Sequence, residues 1–129
     1  MRAFRVRVLS IAALAACASP ASAQTVPPAV GADLLRSCNA LIAYAKEGGD
    51  ITADATSCAA YLKGLRDAVE AVPSRSPADK PFCAAGAGLD EMARAVVKHL
   101  QDREESARRH ASGEALASLN RAYPCTPRR

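Results

Sequence analysis

Histidine is scarce in this chain: His99 and His110 are the only two, too few for a protein-only zinc site without carboxylate help. His99 stands beside an apolar stripe and reads as a surface or partly packed side chain. No two cysteines form a close Cys-x-x-Cys pair, which weakens the metal reading further. No serine lies in a nucleophile-elbow motif. Gly86-Ala87-Gly88 follows no strand-like segment and lacks the later glycine and lysine of a phosphate loop. β-Branched residues are few beside alanine, so strand propensity is poor throughout. No apolar run reaches the ~20 residues that span a bilayer. These absences argue against an enzyme, a cofactor and a metal, and leave binding as the expected activity.

The N-terminus has its own logic. Arg2, Arg5 and Arg7 form a basic start, Val8 to Ala18 is a short apolar run, and Ser19 to Ala23 is small and polar. With Ala21 and Ala23 in the positions a signal peptidase prefers, residues 1–23 read as a secretory signal. The expected location is the periplasm. Leu14-Ala15-Ala16-Cys17 also looks like a lipobox, so a lipoprotein anchored through Cys17 is the alternative. Only in that form is a membrane expected as a partner.

Export changes the charge and the chemistry. The whole chain carries +4, but removing three arginines from seventeen basic residues leaves fourteen against thirteen acidic ones. That balance calls for neither nucleic acid nor an anionic membrane. Cysteines 38, 58, 83 and 125 remain, an even number in a small exported domain, and read as two disulfides with three pairings open. With those thiols paired, no thiolate nucleophile is left.

Residues 24–31 (QTVPPAVG) form a proline-containing leader, expected to be extended or disordered. Residues 32–129 read as one helical, disulfide-bonded domain. Leu34, Leu35, Cys38, Leu41, Ile42 and Ala45 follow the 3.6-residue period, and Gly48-Gly49 supplies a stop. Thr52 or Asp54 can cap a second helix, whose stripe is Cys58, Tyr61, Leu62, Leu65, Ala68, Val69 and Val72. Gly64 within it predicts a close helix contact. Leu89, Met92, Val96, Val97 and Leu100 mark a third helix. Ala115, Leu116, Leu119 and Tyr123 mark a fourth, ended by Pro124. Four amphipathic stripes without alternation predict an all-α chain, a small four-helix bundle stabilised by two disulfides.

Gln101 to His110 (QDREESARRH) is the densest charge run, between the third and fourth helices. If helical, it would pair Glu104 with Arg108 and Glu105 with Arg109 in the favourable i,i+4 order. That makes it a self-paired, solvated face. The functional reading is a polar surface that steers and orients a protein partner.

The cysteine-bearing segments point to a family. Gly31-x-x-Leu34-Leu35-x-x-Cys38 is followed by Cys58-x-x-Tyr61-x-x-Gly64-x-x-Asp67-Ala68 and Phe82-Cys83. The set ends in Ala115-Leu116-x-x-Leu119-x-x-Ala122-Tyr123-Pro124-Cys125. In order and spacing this resembles the Rap/Tai family of periplasmic type VI secretion immunity proteins. The resemblance implies a helical, two-disulfide protein, often a homodimer, that plugs the cleft of a secreted peptidoglycan amidase. The chain departs from the family at Ala85, near which a proline is usual, and at Asp102-Arg103-Glu104, where a His-Pro-Glu-like stretch is usual.

Bridges joining neighbouring elements would be Cys38–Cys58 and Cys83–Cys125. The expected partner surface is Arg103, Glu104, Arg108 and Arg109, with His110 at its edge, because an inhibitor must present groups outside its own core. A periplasmic stress chaperone, which the low aromatic content fits no worse, and a structural accessory of the envelope are the alternatives.

Overall fold

The computed structural model describes residues 26–125; the expected signal segment 1–23, with Cys17, lies outside them. The described chain is all-α: α1 (Gly31–Glu47), α2 (Ala53–Ala71), α3 (Leu89–Gln101) and α4 (Ala111–Ala122). Short 3-10 turns occupy Pro77–Asp79 and Glu104–Arg108. Among the described residues there is no strand, only a single antiparallel bridge between Val30 and His110.

Each helix starts and stops where local chemistry directs. At α1 the Val30 N–H donates to the Asp33 carboxylate, answering one of the orphan donors of a first turn. Gly48 ends α1 at φ 72°, its N–H donating to the Tyr44 carbonyl, and Gly49 follows at φ 89°. Thr52, not Asp54, caps α2: its hydroxyl accepts from the Ala55 N–H at 3.1 Å. At α3 the Glu91 carboxylate accepts from the Gly88 N–H.

The apolar stripes meet in one core. Leu34, Cys38, Leu41, Leu62, Met92, Val96, Leu100 and Leu119 are buried there. Burying such a side chain stabilises by roughly 1.5–3 kcal/mol. Helix α1 packs against both α2 and α3, and α4 lies mainly on α3. The long connection also contributes, since Phe82 is fully buried and the Cys83 N–H donates to the Tyr123 carbonyl. Alanine fills several core places (Ala55, Ala84, Ala93, Ala111, Ala115), so the core is thin.

Two disulfides supplement it. Cys38–Cys58 ties α1 to α2 and Cys83–Cys125 ties the connection to the end of α4. Both join the elements expected. The sequence separations of 20 and 42 residues correspond to about 3 and 4 kcal/mol in the chain-entropy view.

Two expectations need correction. Gly64 makes no close contact: it is exposed, and a Cβ built there meets nothing. The close approach lies at Gly31, whose missing Cβ admits the Ser106 carbonyl. His99 is neither on the surface nor partly packed. It is buried, 7% exposed, because α4 brings a carboxylate to it.

Candidate functional site

The charge run is divided among three local structures. Asp102 ends α3, its carboxylate 3.6 Å from Lys98 one turn back. Glu104 to Arg108 winds as a 3-10 turn, opened by the Ser106 N–H donating to the Arg103 carbonyl. Arg109 and His110 then extend into the start of α4.

The expected self-pairing is absent. Among the described residues, Arg103, Glu104, Glu105 and Arg108 make no ion pair, and Arg109 turns to Glu114 rather than Glu105. The cause is the winding. A 3-10 turn repeats every three residues, so side chains four apart no longer share a face. Glu104, Arg108, Arg109 and His110 are exposed and Arg103 is half-buried. All five expected contact residues are therefore brought to one short segment.

Backbone bonds hold that segment. The Gly31 N–H donates to the Arg109 carbonyl at 2.9 Å, and the Ala111 N–H donates to the Ala29 carbonyl at 3.0 Å. The leader, extended over its described part, is fixed in turn by the Ser57 hydroxyl, which donates to the Val26 carbonyl. Ser106 faces inward and is fully buried against the start of α1, where only a glycine leaves room.

Beneath the segment lies a polar group that sequence reasoning missed. The His99 Nε2–H donates to Glu114 Oε2 at 2.9 Å, both side chains being less than a tenth exposed. Because a carboxylate only accepts, Nε2 must carry the proton of this bond. Arg109 Nη1 approaches the other oxygen, Oε1, at 3.7 Å. Burial pushes the Glu114 carboxyl up, but Ser106, His99 and Arg109 outweigh it and hold the group below the ordinary glutamate range. The Ser106 hydroxyl bears on that carboxylate without closing a bond of full geometry, and His99 Nδ1 is likewise buried without a partner. Spacing gives no hint of this cluster, since His99 and Glu114 lie on different helices fifteen residues apart.

Two surface hollows complete the description. A cleft of about 270 Å³ between α3 and α4 is lined by Lys98, His99, Asp102, Ser118 and Arg121, beside the charged segment. An apolar groove of about 370 Å³ runs between the end of α2 and the connection, lined by Leu65, Val69, Val72 and Pro73. Among the described residues no three histidine, cysteine, aspartate or glutamate side chains gather as a metal site. Nor, among the described residues, is any helix long and apolar enough to cross a membrane.

The segment's backbone is bonded to the leader, and most of its charged side chains are exposed. No curated protein and no solved structure matches the chain. The family described as Rap1a immunity proteins matches over residues 30–125, from the bridge residue Val30 to the last disulfide cysteine. The chain belongs to the Rap1a immunity protein family.

Proposed function

We propose that the mature protein resides in the periplasm and protects its cell by binding a secreted peptidoglycan amidase and blocking the cleft. Family membership supports a protein partner. The resemblance of the cysteine-bearing segments supports an amidase as that partner. One observation carries the assignment of the contact surface. Arg103, Glu104 and Arg108 form no ion pair among the described residues, yet stand on backbone that is bonded to the leader on both sides of His110. Charges left without internal partners on a fixed backbone can meet a partner without first breaking an internal pair. Their backbone, already bonded, loses little conformational freedom on binding.

The test exchanges the two signs, Glu104→Arg with Arg108→Glu, in cells exposed to a secreted amidase encoded beside this gene. Folding should be unchanged, since neither residue holds an ion pair. At an interface the swap sets like charges against the partner and costs several kcal/mol of binding. Lost protection with an unchanged melt supports the assignment. Full protection by the swapped protein would show that the run is only a solvated face.

The protein is further proposed to be a homodimer. Its core rests heavily on alanine, which buries little area, while Tyr44, Ile51 and Val72 remain exposed. Light scattering at micromolar concentration should give twice the mature mass; a monomer mass across that range counts against it.

A further inference from the structure

The polar cluster under the charged segment has no place in a simple account of the core. A buried carboxylate is costly unless paired, and a buried pair is often no more stabilising than apolar residues of the same volume. Stability alone therefore does not explain why Glu114 and His99 interrupt a core built of alanine, leucine and valine. Their position does suggest a task. Among the described residues Glu114 is the one acidic side chain paired with Arg109, and His99 holds its other oxygen.

We propose that Glu114, held by His99, is a positioning residue that fixes Arg109 and the 103–110 segment in the conformation presented to the partner. This rests on the reading of that segment as the contact surface. The connections are short and traceable. His99 on α3 donates to one oxygen of Glu114 on α4, and the other oxygen faces Arg109. Arg109 supplies the carbonyl that accepts from the Gly31 N–H, so its backbone is also the joint between segment and leader. Two residues on, the Ala111 N–H closes the second joint on Ala29. The groups that bear on the carboxylate are His99 from α3 and Arg109 with the Ser106 hydroxyl from the 3-10 turn. No ionisable group of α1 or α2 adds a charge to it. Removing the charge of Glu114 thus leaves Arg109 without an anion and the segment held by backbone bonds alone.

The experiment is residue-resolved amide hydrogen exchange on the mature protein, which needs no partner. The Gly31 and Ala111 amides report the two joints; amides of Leu62 and Val97 report the bundle. In Glu114→Gln at neutral pH, the two joint amides should exchange about tenfold faster, as for the loss of one hydrogen bond to a charged group. The bundle amides should quicken less than the joints, by no more than the loss of global stability that the melt records. Arg109→Ala, whose side chain is exposed, should shift the same two amides in the same direction even if Glu114→Gln folds poorly. Acidifying the native protein through the carboxylate range should loosen the joints relative to the bundle, and Glu114→Gln should show a smaller response, the remainder belonging to Asp33, whose carboxylate accepts from the Val30 N–H beside the joint. Unchanged joint amides in both variants would overturn the proposal. So would exchange that quickens everywhere together, the mark of a merely structural pair. If the joints loosen as expected while Glu114→Gln still protects cells fully, the positioning role is lost. The separate swap of Glu104 and Arg108 continues to decide whether the segment is the contact surface.

Discussion

Gly31 and Ser106 meet so closely that a Cβ built on Gly31 would overlap the Ser106 carbonyl oxygen. The same glycine donates its N–H to Arg109, so one residue without a side chain seats the whole charged turn against the first helix. Family resemblance places a glycine at this position; the geometry supplies the reason.

Gly31→Ala should therefore destabilise the protein. The obstructing atom is backbone, which cannot swing aside, and forcing a methyl into packed structure costs about 1–3 kcal/mol. In a domain of this size that lowers the melting temperature by roughly 4–8 °C per kcal/mol. Gly64→Ala should do the reverse. Gly64 is exposed inside α2 with open space around it, so alanine gains about 0.5–1 kcal/mol of helix propensity. Paired thermal melts of the two variants check both signs, and a Gly31→Ala protein that melts like the native one would refute the close approach.

The two disulfides should differ in reactivity. Cys38 and Cys58 are both fully buried, whereas Cys83 is exposed and Cys125 is half-buried. Attack on a disulfide needs access for the incoming thiolate. Under mild reduction in native buffer, alkylation followed by mass spectrometry should find Cys83 and Cys125 labelled first. Cys38 and Cys58 should resist until the bundle opens. Equal labelling of all four would contradict the burial of the first bridge.

Much of this fold could be read from local rules. The leucine and valine spacings, the glycine pair after Glu47 and the threonine cap at position 52 depend on neighbours within a turn or two. They mark helices without any knowledge of tertiary structure. The first disulfide could be read because α1 and α2 follow one another in the chain; Cys83–Cys125, which spans α3 and α4, is then the pair that remains. What escaped depends on distant partners. His99 looks like the edge of a stripe until α4 is laid on α3 and brings Glu114 to its ring. Gly64 was expected to need its smallness, yet the demand falls on Gly31 through a carbonyl seventy-five residues away in sequence. The exposure of most of the charge run is legible in its composition, but the pairing within it is not. Composition does not distinguish a 3-10 winding from an α-helical one.

Acid should weaken the protein in a defined window. Glu114 is held low in the folded state although burial pushes it up, because Ser106, His99 and Arg109 favour the charged form. Asp33 is held low by the Val30 N–H and then by Arg36. A carboxyl whose folded pKa is depressed contributes stability above its unfolded value. That contribution is lost as pH falls through the folded value. With ordinary values of 4.5 for Glu114 and 3.8 for Asp33, melting temperatures should start to fall below pH 4.5. Glu114→Gln should melt lower at neutral pH and show a shallower acid decline, since one of the carboxyls held low, beside Asp33 and Asp67, is gone. Parallel acid slopes for native and variant proteins would remove Glu114 from the account.

The five residues of the proposed contact segment should also separate cleanly in their cost to folding. Arg103, Glu104 and Arg108 hold no ion pair among the described residues, so truncating Glu104 or Arg108 to alanine removes only hydrated side-chain atoms, and truncating the half-buried Arg103 removes little more. Surface changes of this kind usually fall within about 0.5 kcal/mol of neutral. His110 lends its backbone, not its ring, to the bridge with Val30, and His110→Ala should be similarly mild. Arg109 differs, because its guanidinium stands 3.7 Å from a carboxylate that is buried while the guanidinium itself is mostly exposed. Solvent screens the pair, which limits its worth to the range of exposed bridges, up to about 1 kcal/mol. The loss should nonetheless exceed that of the other four, because it leaves a buried carboxylate with one cationic neighbour fewer. Urea titrations of the five alanine variants, compared at a common slope, give the ranking directly. An Arg109→Ala midpoint indistinguishable from that of Arg108→Ala would show that the link to Glu114 adds nothing to the folded state.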